Sequence, residues 1–256
     1  MVAATFQRTA VQTNTGGYGG SAGDGTSTAA RGGGGAFFDV DGTVVHSEMF
    51  TAFLKLALHL RGLSRVWTML KLVVLGLPLL VISRPKQWWD GEAAGVRFLV
   101  WIVMRGLRVS DVDDAVKRGV TPSLCANVRE SIKARIAAHQ AAGDEVFAMT
   151  GNVRCVVGPM CSALGLAHVF ATELEVAGSP PVYTGAVIGR PNVGAGKLLR
   201  LVRTAKERAI PKAELHMYGN SSNDIPALEY SSFPTAVGPS STLRALALER
   251  SWPILE

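Results

Sequence analysis

The chain predicts an α/β fold built on a doubly wound parallel sheet, and three observations carry that reading. An apolar run at 36–38, bounded by glycine-rich turns, reads as a short buried strand that delivers Asp39 at its end. From about residue 131 onward, strand-like and helix-like patterns alternate, as they do where helices join parallel strands. Between these parts, residues 47–130 show helical patterns alone, so they read as a block inserted after the first strand, a cap over whatever that strand presents.

Composition sets the frame. A chain of 256 residues that is 48% hydrophobic can bury a sizeable core. A formal net charge of +6 and a sequence pI of about 9.5 favour an anionic partner, whether phosphorylated metabolite, nucleic acid or acidic lipid. Cys125, Cys155 and Cys161 form no CxxC pair and are odd in number, which fits a reducing compartment such as the cytoplasm. The histidines (His46, His59, His139, His168 and His216) are scattered and predict no metal cluster. No compact apolar segment of a secretory signal opens the sequence.

Residues 1–34 are rich in Gly, Thr, Ser and Ala and end in RGGGG, a composition that predicts a disordered leader. Arg8 and Arg31, with Asp24 the sole acid, would suit an organelle transit peptide. The amphipathic helix of such peptides is not evident, which favours a linker. Residues 35–46 then open the core.

Helices are predicted over 49–60, 66–82, 91–104 and 109–117, the last with Ser110 and Asp111 as N-cap and first-turn acid. The stretch 66–82 falls short of a membrane span, because Lys71 interrupts it, Gly76 and Pro78 weaken it, and spanning takes roughly 20 apolar residues. Over 49–89 the charged residues before Asp90 are Lys55, Arg61, Arg65, Lys71, Arg84 and Lys86, all basic, with Trp67, Trp88 and Trp89 among them. Such a stretch suits the surface of an anionic membrane. A helical bundle that buries its apolar faces and keeps cations for solubility suits it better, since amphipathic helices usually face a core. Nucleic acid is not expected, since the basic residues are mixed with aliphatic ones rather than laid along a polar face.

After 131 the elements follow in order. A helix over 132–144 meets a glycine stop, and a strand from 145 ends at Thr150. A helix covers 153–165, extended chain 167–176, and a hairpin strand 182–189. An amphipathic helix follows at 197–209, then a strand at 215–220, a short helix at 225–231, a strand at 233–238 and a last helix at 240–251.

Several polar groups fall at strand ends or helix starts. Asp39 and Asp41 stand two apart with Gly42 permitting a sharp turn, so both can serve one site. One would attack as a nucleophile or hold a metal while the other trades a proton. The same residues also fit a plain acidic turn. Thr150, Gly151 and Asn152 offer a hydroxyl and backbone N–H groups near a helix start, a seat for phosphate. Lys197 would neutralise an oxyanion as a point charge. In GNSSND, 219–224, the groups Asn220, Asn223 and Asp224 are hard oxygen donors suited to Mg²⁺. Each is weak alone; their order and placement make the set specific.

Taken together, DVDGT at 39–43, Thr150, Lys197 and GNSSND at 219–224 resemble the four motifs of haloacid dehalogenase (HAD) superfamily phosphatases, with a phosphoserine-phosphatase-like helical cap between the first two. The tail is similar to the HAD-IB branch, and the stretch around 92–114 is similar to the HAD-like N-terminal domain of plant glycerol-3-phosphate acyltransferases. The resemblance covers about residues 36–256. It implies a Rossmann-like core over 35–46 and 131–256 and a helical cap over 47–130. It further implies Asp39 as the nucleophile that becomes an aspartyl-phosphate, and Asp41 as the acid and then the base. Gly42, Thr43, Thr150, Gly151, Asn152 and Lys197 would hold the phosphoryl group, and Asp39, Asp41, Asn220 and Asp224 would hold Mg²⁺. Many relatives carry Asp where Asn220 stands, so the metal meets a neutral amide here. The expected activity is Mg²⁺-dependent hydrolysis of a small phosphorylated metabolite, phosphoserine- or glycerol-phosphate-like. The alternative is a membrane-surface or partner-binding protein that keeps the scaffold with little catalysis.

Overall fold

The computed structural model describes residues 33–46, 49–64, 66, 68 and 91–256. The expected leader up to residue 32, most of the expected 66–82 helix, and most of the basic stretch beyond residue 64 lie outside the described residues. Strand β1 (Gly35–Asp39) is buried along its whole length, and the sheet is built outward from it. Its partners are β2 (Glu145–Val153) on one side and β5 (Leu215–Gly219) on the other, both parallel. With β3 (His168–Ala177), β4 (Val182–Ile188), β6 (Phe233–Val237) and β7 (Ile254–Leu255), the order is β4-β3-β2-β1-β5-β6-β7. All neighbours are parallel except β3 and β4, which form an antiparallel hairpin. The winding reverses at β1, and in open α/β sheets such a switch point leaves a crevice at the carboxyl ends of the strands. Asp39 ends β1 there.

Burial on both faces explains why β1 reads as an unbroken apolar run rather than an alternating one. Phe38 packs on one face with Ala148 of β2 and with Val156 and Met160 of the helix α6 described below. Phe37 packs on the other, stacked on Phe147 with ring centroids 4.5 Å apart, among Leu201, Met217, Leu228 and Leu243.

Between β1 and β2 come α1 (Met49–Leu60), α2 (Gly91–Met104), α3 (Val109–Ala115), a π-helical turn (Val116–Val120), α4 (Thr121–Ala126) and α5 (Glu130–Ala142). Helices α1 and α2 have the predicted bounds. Helix α3 starts at Val109 as expected but ends at Ala115 and is capped differently: Ser110 lies inside it, donating to Asp111 Oδ1 at 3.2 Å, and the cap position is Arg108, with no side-chain cap bond. The π turn and α4 were not placed individually from the sequence; Pro122 occupies the first turn of α4, where its missing N–H costs nothing. Helix α5 ends at Gly143, whose φ of 83° supplies the left-handed stop.

The inserted helices share one continuous core with the sheet, since Phe53, Val100, Met104, Val116 and Leu124 pack in the same cluster as Phe38. At the neck of the insertion the two chain segments pair: His46 N–H donates to Asn127 O at 3.0 Å and Arg129 N–H to Val44 O at 2.9 Å. At the sheet edge, Gly106 N–H donates to Tyr183 O (2.8 Å) and Tyr183 N–H to Leu107 O (2.9 Å). Arg97 adds bonds to Val187 O at 3.4 Å and Gly189 O at 2.5 Å.

Strand β2 continues past the expected end at Thr150 to Val153, with an irregular register between Met149 and Val153, and α6 (Arg154–Ala163) follows directly. Helices α7 (Ala195–Glu207), α8 (Ile225–Tyr230) and α9 (Ser241–Glu249) lie close to their expected spans. No helix among the described residues is long and apolar enough to cross a membrane. The expectation of scattered histidines is corrected: His139 of α5 and His216 of β5 lie ring to ring at 4.6 Å, because α5 packs beside the paired strands.

Candidate active site

The turn after β1 folds back on itself, with Val44 and Val45 N–H groups donating to Val40 O at 3.0 and 3.1 Å. Gly42 makes this possible at φ 75°, and a Cβ there would stand 2.0 Å from Asn220 Nδ2. Glycine is thus required twice, by backbone angle and by the close approach of the 219–224 loop.

Lys197, in the first turn of α7, is the centre of the site. Its ammonium donates to Asp39 Oδ1 at 2.5 Å and to Asp224 Oδ1 at 2.6 Å, with all three side chains almost wholly buried. A lysine in a first helical turn usually faces water. Here the helix begins against the chain before it, where a Cβ on Gly196 would be 2.6 Å from Pro191 O, and Lys197 is directed inward. Asp224 fixes the loop as well as the lysine, since its Oδ2 accepts from Asn220 N–H at 3.1 Å, Ser221 N–H at 3.0 Å and Ser221 Oγ at 3.0 Å.

Thr43 Oγ donates to Asp39 Oδ2 at 3.2 Å. Thr150 Oγ donates to Asp41 Oδ2 at 2.7 Å and accepts from Asn152 N–H at 2.9 Å. Asn152 Nδ2 reaches Asp41 Oδ1 at 3.5 Å. Gly151 meets the loop before α7, where a Cβ would lie 2.5 Å from Val193 Cγ1. Ten of the residues singled out from the sequence, all but Asn223, therefore converge on the carboxyl ends of β1, β2 and β5 and the start of α7.

Two further residues at the site, Arg129 and Ser221, were not singled out from the sequence. Arg129 donates through Nε and a terminal nitrogen to Gly42 O, at 3.3 and 3.2 Å, and packs against Gly238, where a Cβ would be 2.5 Å from its guanidinium. It is 87 residues from Gly42 in sequence, so no local pattern could reveal it. Ser221 was legible in principle, as Ser221 and Asp224 have the spacing of a capping box, and both halves of that box are formed.

Electrostatics explain what the cluster wants. Burial raises the Asp39 pKa, Asp224 and Asp41 raise it further, and Lys197 offsets only part, leaving it at about 8. Burial alone would depress Lys197, but Asp39 and Asp224 outweigh it and hold its pKa above the ordinary lysine value. Carboxylates thus outnumber the ammonium among the described residues at this centre. Hard oxygens in excess negative charge fit a divalent cation such as Mg²⁺. The candidate donors are Asp39, the Asp41 backbone carbonyl and the Asn220 amide oxygen. Asp224 spends both oxygens on Lys197 and on the 220–221 turn, so in this structure it is the group that orients the others.

Fold and site together define a doubly wound α/β scaffold that presents an aspartate pair, a threonine and a carboxylate-bound lysine at its switch point. A family description, haloacid dehalogenase-like hydrolase, matches residues 36–229, and the chain belongs to that family. Over 123 residues it is 35% identical to a histidinol-phosphatase of Neisseria meningitidis, a match that spans 47% of this chain and 55% of that protein. Over 230 residues it is 28% identical to a probable phosphatase of Mycobacterium tuberculosis, covering 89% of this chain and 77% of the relative. Among solved structures, a substrate-bound phosphoserine phosphatase shares the fold, with a TM-score of 0.60, 19% identity, and coverage of 89% of this chain and 94% of the other.

Proposed function

We propose that the protein is a Mg²⁺-dependent phosphomonoesterase acting on a small phosphorylated metabolite, phosphoserine- or glycerol-phosphate-like. The observation that carries this is Lys197 bridging Asp39 and Asp224. Lys197 occupies Asp39 Oδ1, while Oδ2 accepts a long bond from Thr43, so Oδ2 is the oxygen aimed to attack phosphorus. The resulting aspartyl-phosphate has its negative charge offset by the Lys197 ammonium. Asp41 protonates the leaving oxygen and then takes a proton from the hydrolytic water, its carboxylate meanwhile positioned by Thr150. Thr150, Gly151 and Asn152 seat the phosphoryl oxygens, with Gly42 and Thr43 closing the other side. Bound Mg²⁺, held by Asp39, Asp41 and Asn220 with Asp224 adding charge, would supply the further neutralisation that lets an anionic nucleophile approach an anionic ester. Residues 47–130, as a cap, would select the substrate. The relatives' names, histidinol-phosphatase and probable phosphatase, support this reaction class.

The test is phosphate release from a panel including phosphoserine, glycerol phosphate and histidinol phosphate, with Mg²⁺ or EDTA, for the parent and Asp39→Asn. Release should require both Mg²⁺ and Asp39; an Asp39→Asn protein that matches the parent rate would overturn the assignment.

A second reading, peripheral contact of residues 49–89 with an anionic membrane in the cytoplasm, has one structural feature in its favour. A cavity of about 540 Å³ between α1 and the π turn is lined by Lys55, His59 and Arg118 beside Leu56 and Leu60, with no acidic residue in its wall among the described residues. Co-sedimentation with anionic vesicles at low salt is its test, and absence of retention would remove it.

A further inference from the structure

We propose that His139, Asp144 and His216 form a second metal site, for a transition cation of the Zn²⁺ class, at the amino end of the sheet. One ligand atom from each of the three residues lies within 4.8 Å of the others. The residues come from separate elements: His139 from the last turn of α5, Asp144 from the link into β2, and His216 from β5. They are partly accessible, the His139 and Asp144 side chains being 11% and 16% exposed.

Register separates this cluster from the catalytic centre. His216 pairs with Ala36, three residues before Asp39, so along parallel strands the two places are roughly 10 Å apart. The donor sets differ as well. Two imidazoles and a carboxylate prefer a borderline cation, whereas the oxygen-only catalytic set prefers Mg²⁺.

The local geometry is close to what such an ion needs. Zn²⁺ at about 2.0–2.2 Å from its ligands places tetrahedral donor atoms about 3.3–3.6 Å apart. His139 Nδ1 and Asp144 Oδ2 are 2.7 Å apart and joined by a hydrogen bond, so they need open by less than 1 Å (on the order of a small side-chain rotation) as His216 closes in. His216 is stacked on Phe233, with ring centroids 4.4 Å apart.

A second layer is already present. His139 Nε2 lies 2.9 Å from the Tyr218 hydroxyl, and Tyr218 in turn stacks on Phe38 at 4.3 Å. A phenol both donates and accepts. Without the ion, Nδ1–H donates to Asp144 and Nε2 accepts from Tyr218. With it, the proton resides on Nε2, which donates to the Tyr218 oxygen, and the Nδ1 lone pair faces the cation. A histidine ligand whose far nitrogen is held this way is a recurrent feature of zinc sites.

The experiment is equilibrium dialysis of the full chain with micromolar Zn²⁺ in excess Mg²⁺, followed by Co²⁺ substitution and visible spectroscopy. The parent should retain one Zn²⁺ and show the intense d–d bands of tetrahedral Co²⁺. His216→Gln and Asp144→Asn should lose both, Tyr218→Phe should bind about 10–100-fold more weakly, and Asp224→Asn should bind as the parent does. Circular dichroism melts establish that each variant is folded. The proposal fails if the parent retains no Zn²⁺ or shows only octahedral Co²⁺ bands, readouts that depend on no variant. It fails equally if Asp224→Asn releases the ion while His216→Gln keeps it.

Discussion

Replacing Lys197 by Met removes an ammonium and leaves a side chain of similar length in a buried space. Asp39 and Asp224 then face each other across the gap, their nearest oxygens at most about 5 Å apart. Two like charges at that distance repel by roughly 3 kcal/mol at an effective dielectric constant of 20. This agrees with the about 3–5 kcal/mol seen when one partner of a buried pair is deleted. The cost depends on pH. Asp39 already holds its proton more tightly in the fold than in the unfolded chain, with a pKa of about 8. The stability that this proton contributes is present at low pH and is lost as pH rises through 8. Lys197, its pKa raised, stays charged over the whole window in the parent.

The metal-free parent should therefore lose stability between pH 5 and pH 8, and Lys197→Met should fall in parallel over that range, since its Asp39, without the ammonium that lowers its pKa, keeps its proton beyond pH 8. Across that window the variant's deficit should stay under about 2 kcal/mol. Above pH 8 the parent's loss levels off while the variant's continues, and the deficit should grow toward about 3 kcal/mol, a melting-point drop of roughly 6–12 °C. Urea melts from about pH 5 to about pH 10, in EDTA, measure this directly. A deficit that does not grow above pH 8, or none at any pH, would refute the charge balance drawn here.

Asn220→Asp should tighten Mg²⁺ activation about tenfold, or about 1.4 kcal/mol, and lower metal-free stability by adding a carboxylate to an anionic centre; a Mg²⁺ titration of phosphate release and a melt in EDTA report both. Arg129→Met should cost about 1–3 kcal/mol by leaving Gly42 O without its two donors, and phosphate-release kinetics should show a fall in kcat larger than any change in KM. Gly42→Ala should cost about 1–3 kcal/mol in backbone strain alone and lose most activity as the new methyl displaces Asn220, which a melt and a single-turnover assay would show.

What the sequence made legible followed from local pattern. The first strand could be read because burial on both faces leaves a short apolar run with glycines around it, and Asp39 sits at the only end where a switch point gathers ligands. Gly42, Thr150 and Asp224 were findable because turn and strand-end chemistry is local. Arg129 was not, since its role arises only when the chain returns from the insertion to the neck beside Val44. The His139–His216 contact is equally non-local, a product of α5 packing beside β5. Strand β7 escaped notice because two residues carry no periodicity; it exists because Ala236 and Val237 present a ladder for it. The burial of Lys197 reversed the ordinary expectation for a first-turn lysine, and only the packing of Gly196 against Pro191 accounts for it.

The hydrogen bonds that the 106–107 segment and Arg97 make to β4 bear on how the molecule behaves among its own kind. An open sheet ends in strands whose unpaired N–H and C=O groups can recruit another chain, the first step toward fibrils. On the β4 side, Tyr183 has both backbone groups taken by Gly106 and Leu107, and the carbonyls of Val187 and Gly189 are taken by Arg97. On the other side, β7 is two residues long and offers little to copy. The inserted segment thus also blunts one border of the sheet. Shortening it to simplify the protein would expose that border, and the cost would show first as aggregation at high concentration rather than as lost chemistry.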